Sequence, residues 1–185
     1  MKWEIVCTGI GGRGVLLASA VLIETAISAG YRAMASDELG MSQRGGSVVS
    51  LVKVGTFRSP FVGRENADVV LSFEESEFYR NLPFLKKGGL AVVNSRRSAV
   101  PSPVDALLLA RKARFFLVNA DEIAGRAGSI QASNMAMLGF FSAFAIGPYS
   151  IENIVGALER KVAPRLFAMN KAVCEAGRNE ALQRV

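Results

Sequence analysis

Apolar residues run along this chain in two alternating periods. Trp3–Cys7 is an apolar run of strand length, and Arg13–Ala29 carries apolar positions at helical spacing up to Gly30. A glycine just past the last turn is a common helix stop. Tyr31–Ser36 reads as a short second strand. Ser47–Val54 holds Val, Val, Leu, Val and Val, apolar enough for a central strand. Phe57–Arg64 is a turn-rich loop around Ser59-Pro60. Asp68–Phe73 follows as a strand, Glu75–Leu85 as a short helix, and Lys86-Lys87-Gly88-Gly89 as a turn into the strand Leu90–Asn94. Beyond Pro101 and Pro103, Asp105–Ala113 reads as helix, Arg114–Val118 as strand and Asp121–Arg126 as a short helix. Ser133–Ile146, Ile151–Val162 and Arg165–Asn179 are helices separated by Gly147-Pro148 and Pro164.

This order predicts an α/β fold. It is a single Rossmann-like domain over residues 1–185, with a mostly parallel sheet and a helical carboxy-terminal part. No internal repeat or Gly/Ser linker marks a second unit.

Two glycine clusters punctuate the pattern. Gly9-Ile10-Gly11-Gly12-Arg13-Gly14 joins the first strand to the first helix, and Gly40-Met41-Ser42-Gln43-Arg44-Gly45-Gly46 precedes the strand from Ser47. In a strand-to-helix turn, glycines at 9, 11 and 14 serve a tight turn, close backbone approach to a ligand and close helix–strand packing. The first N–H groups of the helix are unpaired and favour an anion. Arg44 can grip a phosphate or carboxylate through two hydrogen bonds. The candidate binding residues are therefore Gly9, Gly11, Gly12, Gly14, Ser42, Gln43, Arg44, Gly45 and Gly46. The plainer readings are a ligand-free turn, and an Arg44 that pins its own loop through Asp37, Glu38 or backbone carbonyls. Asp37 and Glu38 also fall where a dinucleotide fold places its ribose-binding acid, which keeps a free-standing nicotinamide- or flavin-binding module as a second reading.

Composition narrows the chemistry. The chain has 185 residues and no histidine, which removes a histidine general base, a Ser-His-Asp triad and histidine metal ligands. Its two cysteines are too few for an iron–sulfur cluster, which takes four thiolates. Cys7 ends an apolar strand and reads as a small buried hydrophobe. So few cysteines suit a reducing cytoplasm. The net charge of +6 is spread in short clusters such as Lys86-Lys87, Arg96-Arg97 and Arg111-Lys112, which read as solvated faces or as attraction to an acidic partner, not as a nucleic-acid site. No targeting segment is read, and the apolar run Met135–Ile146 is too short to span a bilayer, so no membrane partner is expected. Glu74, Glu75 and Glu77 form an acidic first helical turn. Asn134 stands at or beside a helix N-cap, and Met135, Met137, Phe140, Phe141 and Phe144 form a core stripe. Half of the residues are hydrophobic, which points to apolar surface reserved for another subunit.

Taken together, the two glycine motifs resemble the small (beta) subunit of indolepyruvate:ferredoxin oxidoreductase, and more broadly the gamma domain of 2-oxoacid:acceptor oxidoreductases. Ala67–Glu74, Leu82–Gly89 and Asn134–Gly139 fit the same family, so the resemblance runs nearly end to end. It implies a holoenzyme that converts an aryl 2-oxoacid such as indolepyruvate, with coenzyme A and oxidised ferredoxin, into aryl-acetyl-CoA, carbon dioxide and reduced ferredoxin. It also implies that thiamine diphosphate and the iron–sulfur clusters reside in a larger partner subunit. This chain would then be a required, non-catalytic subunit holding no cofactor alone. Ser42, Gln43 and Arg44 would face coenzyme A, the thiamine diphosphate phosphates or the substrate carboxylate at the junction. A gamma subunit of a pyruvate- or branched-chain-type oxidoreductase is the rival within the family. When isolated, the chain is expected to form a two-fold dimer, because one α/β layer cannot cover all faces of the apolar helix from Ser133.

Overall fold

The computed structural model describes residues 1–40 and 45–184. Its strands are β1 (Trp3–Ile10), β2 (Ala33–Leu39), β3 (Ser47–Val54), β4 (Ala67–Ser72), β5 (Leu85–Asn94) and β6 (Arg114–Val118). They form one sheet in the order β2-β3-β1-β4-β5-β6. β1, β4, β5 and β6 are parallel, while β3 lies between β2 and β1 and runs antiparallel to both. The helices are α1 (Val15–Ser28), α2 (Glu75–Asn81), α3 (Ser102–Ala110), α4 (Ala120–Arg126), α5 (Ser133–Ser142), α6 (Ile151–Lys161) and α7 (Pro164–Leu182).

The central strands are apolar on both faces because both are covered, as parallel sheets require. Ile5, Cys7, Val69 and Leu71 pack with α1 and the carboxy-terminal helices. Val6, Val70, Ala91 and Val93 pack with Phe78 and Leu82 around α2 and with Leu108 of α3. The mostly parallel α/β domain read from the sequence is therefore the one observed. No helix among the described residues is long and apolar enough to cross a membrane.

Several local readings change. Pro83 cannot donate to a continuing helix, so α2 ends at Asn81 and Leu82–Phe84 forms a 3-10 turn. Lys86–Gly89 is a bulge inside β5, not a turn before it. The register passes from Ala67↔Leu85 to Val69↔Leu90, and the Gly88 N–H donates instead to Arg111 O at 2.8 Å. α1 begins at Val15 because Gly14 holds a left-handed φ of 72°.

The apolar helix from Ser133 holds the main correction. All of its residues from Ser133 to Ser142 are buried within this one chain. α7 lies directly on it: a Cβ at Gly139 would stand 1.7 Å from Cys174 O, and one at Gly177 2.0 Å from Ala136 O. Two helices can approach this closely only where side chains are absent. The second helical layer covers the faces that the sheet cannot, so α5 offers nothing to a partner. Exposed apolar residues stand elsewhere.

Candidate functional site

The two glycine clusters meet at the carboxyl end of β1. The Gly11 N–H donates to Gly46 O at 2.9 Å, tying the turn after β1 to the start of β3. Gly40 N–H donates to Ser47 O at 2.8 Å across the neck between β2 and β3. A cleft of about 510 Å³ opens beside this junction, with Gly11, Gly12, Gly14 and Gly40 as backbone wall and Ile10, Leu39 and Val48 as apolar wall. The first turn of α1 lines it too, and among the described residues no side chain caps that helix. Its free N–H groups are thus the polar feature of an otherwise apolar recess.

The glycines have different tasks. Gly9 lies inside β1, where a Cβ would meet Val15 Cγ2 at 2.9 Å and Phe73 Cβ at 3.2 Å, so it serves helix–strand packing rather than a ligand. At Gly14 a Cβ would fall 2.4 Å from Asn134 Nδ2, and that amide donates to Gly14 O at 3.2 Å. Asn134 is therefore a strut between α5 and the glycine turn, with its own side chain buried. Gly11, Gly12 and Gly14 do line the cleft, and Gly45 and Gly46 adjoin it through the Gly11 bond. The expectations for Ser42, Gln43 and Arg44 lie outside the described residues.

The dinucleotide reading loses its geometry. In a dinucleotide fold β2 is the neighbour of β1. Here β3 intervenes, which sets β2 about 10 Å from β1. Asp37 lies within β2 and accepts a hydrogen bond from Ser50 Oγ at 2.5 Å.

A second, smaller recess was not foreseen. α1 and α2 leave β1 and β4 toward opposite faces, which opens a crevice at the carboxyl ends of these strands. Arg13, Glu75, Asn94 and Asp121 line its 240 Å³. Arg13 donates to both Asp121 oxygens, at 2.9 and 3.1 Å, and Asn94 Nδ2 donates to Asp121 Oδ1 at 3.2 Å. Burial acts to raise the Glu75 pKa, but hydrogen bonds from Ser95 and Tyr79 and the charge of Arg97 outweigh it and lower it. Burial and the bond to Glu75 push the Tyr79 phenol up to about 12. Burial also pushes the Cys7 thiol well up, consistent with an inert core residue. The signal available in the sequence was Asn94, a polar residue closing an apolar strand.

The acidic turn is also more differentiated than its composition suggested. Glu74 caps α2 by accepting from the Glu77 N–H at 3.1 Å. Glu77 is buried and accepts from Ser47 Oγ at 2.6 Å, so it anchors the strand that follows the second glycine cluster.

With this architecture in view, comparison with known proteins fixes the class. The profile of the family described as "Pyruvate ferredoxin/flavodoxin oxidoreductase" matches residues 4–180, and the chain belongs to that family. The subunit called "Indolepyruvate oxidoreductase subunit IorB" of Archaeoglobus fulgidus is 32% identical to it, across 98% of this chain and 96% of the relative. The protein of the same name from Thermococcus kodakarensis is 33% identical, across 95% and 94%. Among solved structures, the gamma subunit of a keto/oxoacid ferredoxin oxidoreductase from Geobacter sulfurreducens superposes with a TM-score of 0.79 at 25% identity. That match covers 98% of this chain and 99% of the other.

Proposed function

We propose that this chain is the small subunit of a 2-oxoacid:ferredoxin oxidoreductase acting on indolepyruvate or another aryl 2-oxoacid. The holoenzyme would release carbon dioxide, form the acyl-CoA and pass electrons to ferredoxin. The observation that carries the reading is the Gly11–Gly46 bond, which joins both family motifs into one cleft at the carboxyl end of β1. Near-full-length similarity to subunits named for indolepyruvate supports the aryl substrate.

The residues present do not fit an iron–sulfur cluster, and in this reading thiamine diphosphate lies with the clusters outside this chain. Cys7 and Cys174 are both buried, and two thiols cannot supply the four that a cluster takes. We place these groups in a larger partner subunit and give this chain a non-catalytic, site-completing role. The cleft suits part of a co-substrate such as coenzyme A. Its helix N-terminus can meet an anionic group, while Ile10, Leu39 and Val48 flank an apolar stretch. In this reading Gly11, Gly12 and Gly14 supply backbone to that site, Gly46 is tied to it through Gly11 with Gly45 beside it, and Ser42, Gln43 and Arg44 are the residues proposed to supply its side chains. Leu16 and Leu39 are exposed at the cleft, and Leu166 at the recess beside it. We assign this surface to the large subunit, or to a second copy when the large subunit is absent.

Arg44→Ala tests the assignment. The isolated variant should stay within about 0.5 kcal/mol of the parent in stability, as substitutions that break no packing, cap or buried network do, while turnover of the reconstituted holoenzyme falls tenfold or more (order of magnitude for a lost charge-assisted contact). Unchanged turnover with a large drop in melting temperature would make Arg44 a structural pin instead.

A further inference from the structure

The charge of this molecule is concentrated at the end opposite the cleft. Lys2 precedes β1, Arg32 precedes β2, and Lys53 sits near the carboxyl end of antiparallel β3. Arg58 and Arg64 follow in the loop that returns to β4. Lys86 and Lys87 open β5, and Arg111, Lys112 and Arg114 surround the start of β6. The topology brings all of these to the edge where the parallel strands begin. The same edge holds three carboxylates, Glu4, Glu65 and Asp68. Each is already used: Glu4 pairs with Lys53, Glu65 with Arg111 and Asp68 with Lys86. Ten cations less three paired ones leave seven, against a net charge of +6 for the whole chain. The rest of the molecule is therefore close to neutral.

The seven remaining cations are exposed and make no ion pair among the described residues. Six strands spaced about 4.8 Å apart set them along an edge of roughly 24 Å. Neighbours lie within or near the Debye length of about 8–10 Å at physiological salt, so their fields add. Such an arrangement works against the folded state by self-repulsion. An acidic partner would relieve that repulsion.

We propose that this amino-end edge of the sheet is the docking face for a small acidic electron-carrier protein. The inference rests on the reading of the chain as a ferredoxin oxidoreductase subunit. Permanent subunit contacts are depleted in lysine at their centres, and the exposed leucines beside the cleft, Leu16 and Leu39, stand at the other end. Transient electron-transfer contacts are small and rely on complementary charge to steer encounter. Two exposed apolar residues, Phe61 at 62% and Leu109 at 71%, stand among the cations. They suit the apolar patch of a protein surface better than a bare polyanion.

The test uses the reconstituted holoenzyme carrying Arg58→Glu, Arg64→Glu and Lys87→Glu together, with the three Gln substitutions as a milder second variant. Turnover is followed with an acidic ferredoxin and, separately, with a viologen dye. The expected result is a rise in KM for ferredoxin of roughly tenfold or more at low salt, a weaker salt dependence, an intermediate effect of the Gln variant, and unchanged dye reduction. An unchanged KM for ferredoxin overturns the proposal. So does loss of the large subunit on purification, or equal loss of dye activity, since either makes the edge part of the assembly. A parent holoenzyme that reduces no dye with any 2-oxoacid would instead overturn the functional reading beneath it.

Discussion

At the scale of the residue, Gly14 shows how one position can answer to two demands. Its φ of 72° is left-handed, and Asn134 occupies the space where a Cβ would be. Gly14→Ala should therefore cost about 1–3 kcal/mol, from backbone strain together with displacement of Asn134. Denaturant titration measures it, and Gly14→Ala with Asn134→Ala should recover less than the whole loss, because the backbone conformation remains. A loss near zero would mean that neither constraint operates. Glu75 carries a different signature. Its folded pKa is lowered, so its contribution to stability is complete above the unfolded value of about 4.3 and disappears as pH falls through the folded one. Unfolding curves taken between pH 7 and pH 3 should show a steeper acid-side loss for the parent than for Glu75→Gln. Parallel curves would refute it.

At the scale of the element, the pattern of apolar and polar residues was most informative where one force acted alone. Ser47–Val54 and Arg114–Val118 match the observed strands at both ends, because a buried strand bounded by turn residues has few other options. Boundaries moved where backbone chemistry or distant neighbours intervened. Pro83 shortened α2, and the Lys86–Gly89 bulge was hidden because Gly-Gly looks the same inside a strand as before one. The insertion of β3 between β1 and β2 was invisible, since pairing partners are set by tertiary contacts and not by local period. Asn134 was legible as a polar residue at the head of the apolar helix, but its role was not, since Ala132 holds the N-cap position and Asn134 reaches from inside α5 to Gly14. Asp121 and Arg13 likewise become one ion pair only when β1 and β6 are folded into one sheet. The α5–α7 contact gives the sharpest element-level prediction. A Cβ at Gly139 would fall 1.7 Å from Cys174 O, which is a backbone atom that cannot swing aside. Gly139→Ala should cost more than about 3 kcal/mol, the range of severe overpacking. Gly125→Ala, in open space on α4, should be neutral or slightly stabilising by helix propensity. Equal melting temperatures for the two variants would show that α7 is not seated on α5 as described.

At the scale of the whole molecule, the two ends of the sheet differ in kind, and the difference decides how the isolated chain behaves. The amino end is cationic and repels its own copy. The carboxyl end exposes Leu39 at 63% and Leu16 at 41% beside the cleft, with Leu166 lining a second recess that shares Gly12, Gly14 and Leu17 with the first. Self-association should therefore use the carboxyl end, through leucines at the mouth of the site rather than through α5, which is already covered. Burying such residues is worth roughly 1.5–3 kcal/mol each when complete, enough for a weak two-fold dimer but short of the 2,000 Å² or more (order of magnitude) of permanent assemblies. Light scattering over a dilution series should show a dimer that dissociates on dilution. Leu39→Asp should shift the midpoint to higher concentration by tenfold or more (order of magnitude for one lost anchor), while Lys87→Glu should leave it in place or move it slightly toward dimer. The large subunit should compete for the same leucines and convert dimer into heterocomplex. If Leu39→Asp leaves both equilibria unchanged while Lys87→Glu abolishes them, the assembly face lies at the cationic end and the polarity assigned to the molecule is reversed.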